Sequence, residues 1–204
     1  MRVYLIRHGE IESNVQKIYA GTSEESLNPN GERQVALLVS RLEGKGISRI
    51  YTSPLTRAVE TAEILTRILK VPVIVEKELR EILLGPLDGL SHIQVITQYP
   101  EVWKIWNEAP AELQLEGMEP LEAVQQRILS VLKKWCLTHS EETIVAAVTH
   151  LAVLRCVLLY CQGRHLNDYR KIEIPNASSY AFDVQMRRSD QRVVLERVEE
   201  IPGV

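Results

Sequence analysis

Val3-Tyr4-Leu5-Ile6-Arg7-His8-Gly9-Glu10 is the stretch that decides the fold. Its first four residues are apolar and β-prone, and they end abruptly in Arg-His-Gly. A buried strand of this kind delivers a cation and an imidazole to its carboxyl end, where open α/β sheets place their ligands. Gly9 is expected to let the backbone turn sharply or lie against a ligand with no Cβ in the way. The expectation is an anion-binding strand end with His8 as the reactive group. Taken alone, the tripeptide is more often a surface turn than a catalyst, so the rest of the chain has to supply its partners.

The 204 residues suit one domain, 1–204, with a real core, and the hydrophobic and charged fractions of 45% and 25% are those of an ordinary globular protein. With 24 Lys+Arg against 27 Asp+Glu, the formal net charge is −3. No global basic field therefore points to nucleic acid or an anionic membrane as partner, while local cations remain free to hold a phosphorylated small molecule. No apolar run reaches the length of a bilayer span, and the N-terminal stretch carries no signal-peptide core. Cys136, Cys156 and Cys161 are odd in number and lack CxxC spacing. They suit a reducing cytoplasm and buried thiols, and no residue set reads as a metal site or demands a cofactor.

Beyond the opening strand, 11–25 reads as a long functional loop. Asn28-Pro29 then gives a helix start, with Val35, Leu38, Val39 and Leu42 at helical spacing. A second strand is expected over 47–52, and Ser53-Pro54 repeats the start signal for a helix to about Lys70. Val71–Val75 is a third strand, with Pro72 at its start or edge. Residues 81–90 form a loop. Ser91 caps a further helix that Pro100 interrupts, and 121–137 and 151–161 are strongly helical. Thr143–Thr149 is a buried strand with His150 at its end, and 179–184 with 193–198 form a hairpin around Ser189-Asp190. The order β-α-β-α-β followed by this hairpin predicts a three-layer α/β/α sandwich with a mostly parallel central sheet and C-terminal antiparallel strands. An exposed edge near the C-terminus is the candidate contact for a homodimer.

Four strand ends or the loops beyond them thus present Arg7 and His8, Arg57, Glu81, and His150. In a parallel sheet they lie along one edge and can converge. Two cations hold phosphoryl oxygens, an imidazole can attack phosphorus, and a carboxyl group can protonate the leaving alkoxide and then activate water. Each residue also has a plainer reading: Arg57 as a solvated helix residue, Glu81 as a partner of Arg80, Asn14 as a turn residue, His150 as a core imidazole.

These motifs resemble the histidine phosphatase superfamily, the phosphoglycerate mutase-like family. The matching residues are Leu5-Ile6-Arg7-His8-Gly9-Glu10 with Asn14, Ser53–Ala62 (SPLTRAVETA), Leu79-Arg80-Glu81 and Val148-Thr149-His150, in family order. The resemblance implies that His8 becomes phosphohistidine and that Arg7, Arg57 and His150 surround the phosphoryl group. It implies Glu81 as general acid and base, Asn14, Gly21 and Leu151 as further substrate-binding positions, and no metal or cofactor.

Some positions depart from the family pattern. Leu151 replaces the usual glycine after the second histidine, Ala20-Gly21 replaces a Thr-Gly, and Gly85–Gly89 lacks the usual tryptophan. The chain is also short for a mutase. Hydrolysis of a small phosphorylated metabolite is therefore expected: a phosphoserine, a phosphoglycerate, a sugar phosphate or a ribazole phosphate. A cofactor-dependent phosphoglycerate mutase and a non-catalytic phospholigand-binding module are the rivals. Tyr99, Trp103 and Trp106 read as amphipathic-helix anchors ahead of a lid, and His92, His139 and His165 as surface or loop histidines.

Overall fold

The computed structural model describes residues 1–187 and 189–203. Six strands form one sheet in the order β3-β2-β4-β1-β5-β6: β1 (Arg2–Arg7), β2 (Arg49–Thr52), β3 (Val73–Val75), β4 (Ile144–Thr149), β5 (Ser179–Met186) and β6 (Val193–Ile201). β1, β2, β3 and β4 pair in parallel, whereas β5 runs antiparallel to β1 and β6 to β5. The expected mixed sheet is present, with the hairpin longer at both strands because its pairing continues to Met186 and Ile201.

Side-chain alternation sorts the core into two layers. Tyr4 and Ile6 face α2 (Pro29–Leu42) and α3 (Thr56–Leu69), together with Ala146 and Val148 from β4. Val3 and Leu5, with Val145 and Ala147, face α6 (Leu121–Thr138) and α7 (Leu151–Cys161). Trp135 of α6 stacks on Tyr51 with ring centroids 4.2 Å apart. The smaller helices α1 (Glu12–Val15), α4 (His92–Gln98) and α5 (Pro100–Glu108) lie in the connections, α1 inside the stretch expected to be all loop.

Local signals set several boundaries. Asn28 caps α2 by accepting the Gly31 amide at 2.8 Å, Ser91 and Gln94 form a capping box on α4, and Pro100 starts α5. Ser53-Pro54 does not act as the cap its sequence suggests. α3 begins two residues later with Leu55 at its N-cap and no side-chain cap. The Ser53 hydroxyl is engaged in the site instead.

Gly9 also has a different reason to be glycine. A Cβ there would stand 2.7 Å from the Gly31 carbonyl oxygen and 2.9 Å from Val35 Cγ2, and one on Gly31 would stand 2.2 Å from the Glu10 carbonyl oxygen. The two glycines let the first turn of α2 press against the chain leaving β1, so this packing requires Gly9.

Candidate active site

The register of the sheet creates the site. β1 and β4 are neighbours with Arg7 opposite Thr149, so the next residue of each strand is a histidine. His8 and His150 are 3% and 0% exposed, with ring centroids 5.2 Å apart. His8 Nδ1 lies 2.7 Å from the Gly9 carbonyl oxygen. A carbonyl only accepts, so the neutral ring carries its proton on Nδ1 and keeps the lone pair on Nε2. Burial, with Arg57 and Arg7 nearby, holds the His8 pKa well below the ordinary histidine value. His150 is lowered likewise, by burial first and by Arg57 next.

His150 Nε2 is 2.7 Å from the Ser53 hydroxyl, which also accepts the Leu55 amide at 3.3 Å. With that hydroxyl donating to Nε2, the neutral ring has its proton on Nδ1, a buried atom with no protein partner.

Arg57, 1% exposed, enters from the first turn of α3. Its guanidinium donates to the carbonyls of Ser23 (2.9 Å), Ala20 (3.2 Å) and Gly21 (2.8 Å), which fixes its plane. The peptides carrying the Ala20 and Gly21 carbonyls are held in turn by Asp88, whose carboxylate accepts the amides of Gly21 (2.7 Å) and Thr22 (3.0 Å). Gly21 therefore acts on Arg57 through its carbonyl and is not itself in the cavity lining. Arg7 donates to the Ile174 carbonyl, and burial draws its pKa down to about 10. Arg7 Nε and Arg57 Nε are, like His150 Nδ1, buried without a partner.

Glu81 lies beyond β3 and is 7% exposed. Its Oε1 accepts the Ile82 amide at 2.9 Å and the Ala152 amide in the first turn of α7 at 3.2 Å. Arg80 pairs with Glu78 and Glu119 instead of with Glu81. The Glu81 segment is braced by Arg127, which forms a largely buried pair with Glu119 at 2.8 Å and donates to the Glu78 and Glu81 carbonyls. Thr149 Oγ1 adds a bond to the Leu79 carbonyl at 2.7 Å. Asn14 accepts from Asn176 Nδ2 at 2.9 Å, and the same Asn176 nitrogen donates to the His8 carbonyl at 3.1 Å.

Arg7, His8, Asn14, Arg57, Glu81 and Leu151 all line one cavity of about 470 Å³; His150 is fully buried outside that lining, its ring 5.2 Å from that of His8. A larger hollow of about 690 Å³ opens elsewhere, beside Met1, Cys136 and Asp183, and includes none of these groups. Among the described residues there is no cluster of three or more His, Cys, Asp or Glu that could hold a metal ion.

The cavity also contains residues that the sequence reading left aside. Trp106, 2% exposed, is a wall of the site as well as a helix anchor, and the half-buried His92 lines the cavity too. Its ring packs between Tyr19 (4.7 Å) and Trp103 (5.9 Å). His139 bonds the Tyr51 hydroxyl at 2.8 Å, away from the site. Tyr169, Arg170, Glu173 and Asn176 come from the aperiodic stretch between α7 and β5, where hydrophobic spacing gives no signal. Only the dense run of polar residues there could have marked it.

A central parallel sheet with an RHG strand end and a second histidine on the neighbouring strand defines a known class of enzyme. The histidine phosphatase superfamily (branch 1) profile matches residues 3–197, and the chain belongs to that superfamily as an enzyme of the histidine phosphatase type. Phosphoserine phosphatase 1 of Hydrogenobacter thermophilus is 29% identical over 189 residues, spanning 93% of this chain and 89% of the relative. The "Probable phosphoglycerate mutase GpmB" of Cronobacter sakazakii is 30% identical over 187 residues, spanning 91% and 86%. The solved structure of Bacillus stearothermophilus YhfR superposes with a TM-score of 0.87 at 27% identity, covering 97% of this chain and 95% of its own. No described helix is long and apolar enough to cross a membrane.

Proposed function

We propose that the chain hydrolyses a small phosphomonoester through a phosphohistidine on His8, without a metal. The observation that carries this reading is the set of buried, unpartnered donors Arg7 Nε, Arg57 Nε and His150 Nδ1, beside an imidazole whose proton is pinned on Nδ1. Unpaired buried donors are costly, and an anion with several acceptor oxygens at the His8 end of the cavity is the kind of partner they call for. His8 Nε2 then attacks phosphorus as the ester P–O bond breaks. Glu81, protonated, gives its proton to the departing alkoxide. As a carboxylate it next takes a proton from water, whose oxygen displaces Nε2 and releases inorganic phosphate. The two amides on Oε1 orient the carboxyl and leave Oε2 for proton transfer. Three free thiols accord with a reducing, cytoplasmic setting.

Turnover of p-nitrophenyl phosphate in EDTA tests the proposal. Wild type should release phosphate and carry an alkali-stable, acid-labile phosphoryl group, and His8→Ala should lose at least about a thousandfold in rate and all of the label. Unchanged turnover in His8→Ala sinks the mechanism. The mutase reading, favoured by the GpmB relative, requires a bisphosphate to prime His8; phosphate release from a monophosphate with no primer opposes it. Failure of wild type to cleave any phosphoester favours a binding module.

A further inference from the structure

One side-chain amide holds two groups of the site at once. Asn176 comes from the stretch between α7 and β5 and lines the cavity. Its Nδ2 lies 3.1 Å from the His8 carbonyl oxygen, 3.3 Å from that of Gly9 and 2.9 Å from Asn14 Oδ1. Carbonyl oxygens only accept, so the atom facing them is the amide nitrogen, whose two N–H groups serve three acceptors. The neighbouring backbone grips the end of β1 from the same side. The Ile174 carbonyl accepts from the Arg7 side chain, the Ser178 carbonyl accepts the Arg7 amide at 3.0 Å, and the Ala177 amide donates to the His8 carbonyl at 3.1 Å. Ala177 does so at φ +52°, a left-handed conformation that is costly for a residue with a Cβ and that clusters at functional sites.

Each contact of Asn176 sets a polarity. The Gly9 carbonyl that takes its Nδ2 is the one that His8 Nδ1 faces at 2.7 Å. Both peptides around Gly9 are tied at their other ends as well, the Gly9 amide to Thr61 Oγ1 at 3.1 Å and the Glu10 amide to Gln34 Oε1 at 3.0 Å. The acceptor therefore stays against Nδ1, which keeps the proton there and the lone pair on Nε2. Asn14 Oδ1 accepts the Ile11 amide at 3.3 Å in addition to Asn176 Nδ2. A backbone amide can only donate, so the oxygen end of the Asn14 side chain is fixed on this side. The other end of that side chain, in a residue that lines the cavity, is the donor Nδ2. Turned over, Asn14 would offer an oxygen to an anion.

We propose that Asn176 is a positioning residue for phosphoryl transfer, its one amide nitrogen fixing both the lone pair of His8 and the donor end of Asn14. It acts through these two residues. The proposal rests on the phosphohistidine reading for the identity of the step, while the polarity of the two groups is measurable without it.

Nitrogen-15 NMR on histidine-labelled protein tests it, with the His8 signals identified by their loss in His8→Ala. At about pH 8, above the ordinary histidine range, wild-type His8 should be the Nδ1–H tautomer. Asn176→Leu keeps the branched shape and removes the donors. It should mix in the Nε2–H form, weaken inorganic phosphate about tenfold by calorimetry, and lower kcat about 10²-fold, more than it raises KM. Part of that loss runs through Asn14, so Asn14→Ala combined with Asn176→Leu should bind phosphate little worse than Asn14→Ala alone. Asn176→Ala takes the place of the leucine variant should that one not fold. An Nε2–H tautomer in the wild type overturns the proposal, as does a folded Asn176 variant with unchanged tautomer and phosphate affinity, or fully additive losses with Asn14→Ala. Turnover of p-nitrophenyl phosphate is read separately. No phosphate release by the wild type, with the tautomer and the coupled phosphate binding as expected, discards hydrolysis and keeps the polarity set by Asn176. Turnover through phosphohistidine, with a tautomer and rate unmoved in Asn176→Leu, does the reverse.

Discussion

His8 and His150 face one another at 5.2 Å between ring centroids, with their planes inclined by 55°, because Arg7 and Thr149 pair on adjacent parallel strands. The strands are distant in sequence, and one register fixes the separation of the two imidazoles. A slip of one residue would turn the whole of β1 over and send His8 to the opposite side of the sheet.

Both rings are buried and held neutral, which couples stability to pH. Their folded-state pKa values lie well below 6.5, while in the unfolded chain both histidines bind protons below about 6.5. The unfolded state then holds more protons, so stability is full above pH 6.5 and falls as the pH drops below it. Each ring contributes a slope of up to about 1.4 kcal/mol per pH unit. Urea midpoints from pH 8 to 5 should show this decline, and inorganic phosphate should reduce it by binding the folded state. A flat profile contradicts the assignment of neutral histidines.

Glu81→Gln is the informative change at the acid position. The amide oxygen still accepts from Ile82 and Ala152, so the segment keeps its place, whereas Glu81→Ala would strand both amides. The substitution should slow an alkyl phosphate by about 10²–10⁴-fold and p-nitrophenyl phosphate far less, since nitrophenolate departs without a proton. Equal losses with both esters argue against proton donation by Glu81.

Asp88→Ala tests whether Arg57 depends on the loop behind it. Asp88 holds the amides of Gly21 and Thr22, and the Gly21 carbonyl in turn aligns Arg57. Loss of these bonds should cost about 1–3 kcal/mol of stability. It should also raise the inhibition constant for inorganic phosphate and the KM more than it lowers kcat. Asp88→Asn, which keeps one acceptor, should recover part of both.

Leu151→Gly asks what the side chain in place of glycine does. Leu151 lines the cavity at the first position of α7, one residue after His150. Its removal should widen the leaving-group side and flatten the kcat/KM ratios among phosphorylated metabolites, at a stability cost above the ~0.5–1 kcal/mol that separates glycine from alanine, because Leu151 also packs against the core. Unchanged ratios across such a panel exclude Leu151 as a determinant of selectivity.

The sequence alone determined the alternation of Tyr4 and Ile6 against Val3 and Leu5, the cap at Asn28, the break at Pro100, and which residues stand at the strand ends. These depend on backbone periodicity and local hydrogen bonding, which act between near neighbours. From them and the four motifs came Arg7, His8, Arg57, Glu81 and His150. Tertiary structure decided the rest, because it depends on what the chain meets after it folds. Ser53 looked like a cap and instead bonds His150; Gly9 is demanded by the close approach of α2, which its sequence context did not show. Trp106 looked like an anchor and also became a wall. Arg155, Arg170 and Tyr19 come from three separate segments whose spacing carries no joint signal. Only the packing of those segments around one cavity brings them together.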